Sequence, residues 1–344
     1  MTVTVANNER VVLITGCSAG GIGHHLALEL AAHGCRVFAG VRTLSKAQTL
    51  ADNPRIEAVE LDVTSDESVE VALAHVLAAT GGRIDMLVNN AGVLCAGPAV
   101  EVPLAQVQQV FDTNVVGLAR LCRAVAPVMM ERRQGTIVNV GSVSGYVTTP
   151  WIGLYAASKA AAHAYSDALR MELAPFGISV VVVAPGSVRS NLVANHNELF
   201  AGDDTSRYQL ARPAIEARTG LSQNDDTTPA NRFARVIVPQ ILRKSPSAYI
   251  TYGTHSAAIW FLYYVPPVIR DYLLGRRFGT HQLAKDLPSV AACPFSGKKA
   301  GGGGGAGCPM SGKSDSVSCP ITSPTAMWLV LAAAVVGGVS MLFK

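Results

Sequence analysis

Tyr155 and Lys159 stand one helical turn apart in the run Tyr155-Ala-Ala-Ser-Lys159, and Ser142 lies thirteen residues before the tyrosine. These residue types are the parts of a proton-transfer site for a carbonyl or an alcohol. A phenol can pass a proton, a serine hydroxyl can hold a substrate oxygen, and an ammonium can make the phenol more acidic. Free tyrosine has a pKa near ~10, so about 0.1% is ionised at neutral pH. Residues four apart share a helix face, so Lys159 is expected to favour the phenolate. So short a pair recurs by chance, and its meaning depends on the elements that position it.

From Val11 to about Gly253 short β-rich runs alternate with longer helical ones. Strands are expected at Val11–Thr15, Arg36–Val41, Ile56–Leu61, Ile84–Asn89, Gly135–Val140, Ile178–Ala184 and Ala248–Tyr252. Helices are expected at Ile22–His33, Glu67–Ala79, Leu104–Arg132, Leu154–Pro175 and Asn231–Arg243. Continuously apolar strands between helices indicate a parallel sheet covered on both faces, an α/β doubly wound fold of Rossmann type. The polar stretch 191–230 follows a strand, where such folds bind ligands, and reads as a substrate lid. Ser256–Ile269 is apolar and aromatic, followed by Arg270, Arg276 and Arg277. It reads first as a core helix and alternatively as a membrane-contacting segment.

Thr15-Gly-Cys-Ser-Ala-Gly-Gly-Ile-Gly23 follows the first strand and opens the first helix. Glycines there let backbone N–H groups approach a pyrophosphate at the positive helix end. No Asp or Glu occurs between Arg36 and Ala51, where a dinucleotide site for NAD carries an acid for the ribose hydroxyl. Arg42 closes the second strand instead, with Lys46 nearby, which suits the 2′-phosphate of NADP. The same loop contains Gly16-Cys-Ser18-Ala-Gly20, a G-x-S-x-G elbow, so a serine lipase or esterase is the rival reading. Such a hydrolase needs a histidine and an acid downstream, and no histidine lies in a recognisable loop after a strand.

With these pieces assembled, residues 8 to 255 resemble the short-chain dehydrogenase/reductase family. The matching motifs are the Thr15–Gly23 loop, Asp62-Val63, Asn89-Asn-Ala-Gly92, Asn114, Ser142, Tyr155-x3-Lys159 and Pro185-Gly-Ser-Val188. The resemblance implies a nicotinamide cofactor, NADP(H), with Gly16, Ser18, Gly21, Ile22 and Gly23 at the phosphates and Arg42 at the 2′-phosphate. It puts Asp62 and Val63 at the adenine and lines the cleft with Asn90, Ala91 and Gly92. Pro185, Gly186, Val188 and Ser190 then border the nicotinamide. It implies that Ser142 holds the substrate oxygen, Tyr155 exchanges the proton, Lys159 grips the nicotinamide ribose and Asn114 supports a relay water. The thirteen-residue offset favours Ser142 over Ser144, and His163 reads as a packed helix residue. The loop is one residue longer than the common Thr-Gly-x3-Gly-x-Gly spacing, which leaves open which glycine meets the phosphates. Ser190 stands where threonine is usual, with the hydroxyl kept. Within the family the loop and Arg276-Arg-Phe-Gly279 look like the 1-acyl-dihydroxyacetone-phosphate reductase group. That likeness implies reduction of a lipid ketone, with a steroid or retinoid as the alternative substrate. Arg189, Arg207, Arg212 and Arg218 lie in or near the lid, and the sequence does not select among them for a phosphate.

Composition limits the alternatives. The formal charge is +4 without a basic block, so nucleic-acid binding has little support. The eight histidines and seven cysteines show no metal-site spacing, so no metal is expected. Cys17, Cys35, Cys95 and Cys122 read as reduced core thiols. The reductase domain is expected over 1–286, followed by a Gly/Pro/Ser-rich linker at 287–325. The linker holds Cys293-Pro, Cys308-Pro and Cys319-Pro. Ala326 to Phe343 is 18 residues without a charge, about 27 Å as a helix, and reads as a single transmembrane anchor. The expected location is therefore a cytosol-facing membrane, endoplasmic reticulum or lipid droplet. Oligomeric state is left open.

Overall fold

The computed structural model describes residues 9–192 and 206–287. The chain divides between His281 and Gln282, whereas the sequence reading ends the reductase domain at Asp286. The first unit opens with β1 (Val11–Thr15), α1 (Ile22–Ala32), β2 (Arg36–Val41), β3 (Ile56–Glu60) and α2 (Asp66–Thr80). Next come β4 (Met86–Asn89), α3 (Leu104–Phe111), α4 (Gly117–Glu131), β5 (Gly135–Val140) and α5 (Gly153–Leu173). It continues through β6 (Ile178–Pro185), β7 (Val188–Arg189), α6 (Arg212–Gly220), β8 (Thr228–Pro229) and α7 (Ala230–Ile241). It closes with β9 (Tyr249–Tyr252), α8 (Ser256–Tyr263) and α9 (Pro267–Arg277). The second unit is described only over 282–287, of which 282–286 belong to the last helix, α10 (Thr280–Asp286).

The main sheet is parallel throughout, in the order β3-β2-β1-β4-β5-β6-β9. Strand order reverses between β1 and β4, which opens a crevice at their carboxyl ends. Along β1, Val12 and Ile14 pack on one face with Leu26 and Leu30 of α1 and Phe233 and Ile237 of α7. Val11 and Leu13 pack on the other face with Val76 of α2, Leu121 and Val125 of α4, and Leu169 of α5. Burial on both faces is why the strand is apolar at consecutive positions. Each fully buried Leu or Ile contributes about 1.5–3 kcal/mol. Helix ends follow local chemistry: Ser65 caps α2 by accepting from Ser68 N–H, and Gly81 ends it at φ 66°.

Two expectations need correction. The single helix over 104–132 is interrupted by a π-helical turn at Asp112–Val116, closed by Gly117 N–H donating to Asp112 O. The inserted residue turns Asn114 inward, where it is buried. Ser256–Ile269 is not a core helix. It breaks into α8 and α9 around Pro266, and only Leu262 of α8 is buried, while Trp260, Tyr263 and Tyr264 are exposed. Apolarity was misread as burial because exposed aromatics carry the same composition. Among the described residues no helix is long and apolar enough to cross a membrane. Residues 193–205 of the lid, the Cys-Pro pairs and Ala326–Phe343 lie outside the described residues.

Candidate active site

The glycine loop runs from the end of β1 to the first turn of α1. Gly16 and Gly20 have φ of 72° and 76°, conformations that favour glycine, and Gly21 caps α1 in extended conformation. A Cβ at Gly16 would stand 2.8 Å from Ala91 Cα, and one at Gly23 would collide with Asn90 and Gly16 O. The extra residue of the loop is thus absorbed at Gly20. The spacing had left Gly20 without a role, although it takes the turn. Thr15 Oγ1 accepts from the N–H groups of Asn90 and Ala91 at 3.1 and 3.0 Å, and Asn90 Nδ2 donates back to Thr15 O at 2.9 Å. Asn90 to Gly92 are therefore locked against the loop, across the β1–β4 crevice. Asp62 follows β3; its Oδ1 accepts from the Thr64 N–H and hydroxyl at 2.9 and 2.8 Å. Buried Val63 packs against Gly117, where a Cβ would lie 2.8 Å from Val63 Cγ2. Arg42 is exposed just past β2, and among the described residues no hydrogen bond or ion pair engages it. A backbone cradle with no room for side chains, facing the N-terminus of an eleven-residue helix, fits the pyrophosphate of a dinucleotide. Beyond β6, Gly186 lets Pro185-Gly186 cross the β9 end, because a Cβ there would strike Thr254 O. Val188 is buried in β7, and the Ser190 hydroxyl accepts from Leu192 N–H at 3.4 Å.

Ser142, Tyr155 and Lys159 converge at the carboxyl ends of β5 and β6. Ser142 caps a 3-10 turn at the end of β5, its Oγ accepting from Ser144 N–H at 3.1 Å. The Ser142 hydroxyl lies close enough to the Tyr155 phenol to lower it. Lys159 Nζ lies 5.8 Å from the centre of the Tyr155 ring and donates to Val140 O at 3.0 Å. Asn114 Nδ2 donates to Val93 O and Ser158 Oγ, both at 3.0 Å, and its Oδ1 accepts from Val93 N–H at 2.8 Å. Asn114 Oδ1 and Lys159 Nζ border one spot beside Gly92, 3.2 and 3.4 Å from where its Cβ would stand.

The electrostatics overturn one expectation. Burial holds the Tyr155 phenol above its ordinary value, while the Ser142 hydroxyl and the Arg218 guanidinium pull it back. Burial also draws Lys159 down to about 8. The cation that offsets burial at Tyr155 is Arg218, not Lys159. The reason is aim: the Lys159 ammonium points at the Val140 carbonyl, and both it and the phenol have lost water. His163, packed as expected, also supports the site: Ser142 N–H donates to its Nε2 at 3.4 Å. A Cβ on Gly141 would collide with that imidazole, so the ring fills the space under the Ser142 turn. Arg218, Thr149 and His163 were not assigned site roles from sequence; only the lid position of Arg218 had marked it as a candidate cation.

Residues 10–199 match the short chain dehydrogenase family. The chain belongs to that family. It is an oxidoreductase, and Ser18 has no histidine partner among the described residues, which leaves the hydrolase elbow without its triad. The chain is similar to the NADPH-dependent 1-acyldihydroxyacetone phosphate reductase of Schizosaccharomyces pombe, 40% identical over 257 residues, 73% of this chain and 85% of that one. The Saccharomyces cerevisiae protein of the same description is 32% identical over 289 residues, covering 82% and 95%. Among solved structures, a short-chain dehydrogenase from Streptomyces avermitilis superposes with a TM-score of 0.67 at 29% identity, covering 81% of this chain and 100% of that one.

Proposed function

We propose that this dehydrogenase uses NADPH to reduce a ketone carried on a lipid, with 1-acyl-dihydroxyacetone phosphate as the substrate and 1-acyl-glycerol 3-phosphate as the product. The observation that carries the reading is the Ser142–Tyr155 pair set above Lys159 at the sheet edge. When bound, the nicotinamide supplies the hydride. Ser142 orients the substrate oxygen, and Tyr155 releases its proton to that oxygen. The raised phenol is suited to this direction, because it stays protonated at neutral pH until the oxygen takes its proton. Lys159 and Asn114 border the spot beside Gly92 where a relay water would restore the tyrosine proton. Arg42, exposed one residue beyond β2, would receive the 2′-phosphate that distinguishes NADP from NAD. The two yeast relatives described as NADPH-dependent 1-acyldihydroxyacetone phosphate reductases support both cofactor and substrate.

The reading places the enzyme at a membrane. Ala326–Phe343 is the proposed anchor, tethered by the linker over 287–325, with the reductase domain facing the cytosol at endoplasmic reticulum or lipid droplets. The exposed Trp260, Tyr263 and Tyr264 of the α8 region are residue types that settle at a membrane interface. The test is consumption of NADPH by the purified full chain against a panel of lipid ketones. Turnover is expected with 1-acyl-dihydroxyacetone phosphate; turnover confined to steroid or retinoid carbonyls would replace this substrate.

A further inference from the structure

Of the arginines placed in the lid, Arg218 acts on Tyr155 with its charge. Its Nε donates to Thr149 Oγ1 at 2.7 Å, and its Cζ stands 5.3 Å from the centre of the Phe278 ring. Arg277, at the end of α9, has its Cζ 5.8 Å from the centre of the same ring. Two guanidinium groups therefore lie against one phenyl ring. His255 lies within reach of both charges, and its Nδ1 is hydrogen-bonded to Ser187 Oγ at 3.1 Å. Among the described residues no carboxylate stands within ion-pair distance of Arg218 or Arg277. Both charges act on His255 and lower it, so an anion lodged beside them is attracted to both.

The backbone is strained where it holds this cluster. Trp151 and His255 adopt φ of 72° and 65°, rare for residues with side chains. Trp151 Nε1 donates to Phe278 O at 2.7 Å, which ties Phe278 to the loop leading into α5. The cluster thus adjoins the proton donor. It lies toward the β5, β6 and β9 side of the sheet, away from Arg42 at the end of β2. We propose that Arg218 and Arg277 form an anion subsite for the phosphate of a phosphate-bearing ketone, with Thr149, Ser187 and His255 at its edge. Two forked guanidiniums match a phosphomonoester dianion, and a phosphate on the carbon next to the ketone would bring that ketone to Tyr155. The assignment rests on the reading of the protein as a reductase of such ketones.

The test compares 1-acyl-dihydroxyacetone phosphate with 1-acyl-dihydroxyacetone, its phosphate-free counterpart, using the full chain and Arg218→Met. Loss of one charge-assisted contact predicts about a 100-fold fall in kcat/KM on the phosphate substrate, mostly through KM, and a much smaller fall on the phosphate-free one. Arg277→Gln, at an exposed position, is expected to lose about 10-fold with the same selectivity. Equal losses on both ketones, or none, would overturn the subsite. A second measurement is independent of turnover: inorganic phosphate, added to protein saturated with NADP, should raise the Tm of the wild type and not of Arg218→Met. If the wild type fails to reduce the phosphate ketone, the substrate reading falls. The phosphate-dependent Tm shift then decides the subsite alone, which stands if Arg218→Met removes the shift and falls if it does not.

Discussion

At the scale of single residues, the proton donor works against its surroundings. Tyr155 has lost water, which raises its phenol, and the Ser142 hydroxyl and the Arg218 guanidinium limit the rise. Tyr155→Phe keeps the ring and removes the proton, so kcat for carbonyl reduction should fall by at least about 100-fold while NADPH still binds, as read by cofactor fluorescence. Arg42→Asp replaces a phosphate partner with a ribose partner. The ratio of kcat/KM for NADPH over NADH should drop by about 100-fold, and an unchanged ratio would remove Arg42 from that role. His163 makes a pH prediction. Burial, with Lys159 adding and Asp167 opposing, lowers its imidazole to about 4. An unfolded chain titrates this group near ~6.5, so between these two values the unfolded state holds more protons than the folded one. Stability is therefore full above the unfolded value and declines as pH falls through the window, by roughly 3 kcal/mol for this group. Urea unfolding of the wild type from pH 7 to pH 4 should show the decline, and His163→Gln should flatten it.

At the scale of elements, the site depends on close approaches that only small residues permit. The crossing of Gly186 over the β9 end leaves no room for a methyl group, and the obstacle is the Thr254 carbonyl, which cannot rotate away. Gly186→Ala should cost about 1–3 kcal/mol in urea unfolding and weaken cofactor binding, since Val188 and Ser190 follow directly. The π turn at Asp112–Val116 has a comparable use. One extra residue in the turn brings Asn114 onto Val93 and Ser158, joining the segment after β4 to α5 three positions past Tyr155. A helix without that insertion would leave a buried amide facing the wrong side.

At the scale of the whole molecule, the proposed activity requires access to lipid. Removal of residues 326–344 should shift the protein from the membrane pellet to the supernatant after cell fractionation, with NADPH binding retained. Continued tight pelleting would assign the attachment to the exposed aromatics at Trp260, Tyr263 and Tyr264. Both outcomes leave the sheet intact, because its two cores are built from residues between Val11 and Ile250.

Sequence alone determined the parallel sheet, the glycine loop, and the grouping of Asn114, Ser142, Tyr155 and Lys159. The reason is locality: a turn, a helical repeat or an apolar strand is written within a few neighbouring residues, and the order of motifs supplies the rest. Even there, spacing misjudged electrostatics, since it measured the separation of Tyr155 from Lys159 and not the direction of the ammonium or the loss of water. Tertiary structure decided which cation reaches Tyr155, which ring supports Ser142, and whether α8 lies inside or outside. Arg218 meets Thr149 across 69 positions and Trp151 meets Phe278 across 127. No periodicity links residues so far apart; they meet because α6 and the end of α9 pack against the loop before α5, where burial and charge are set by packing.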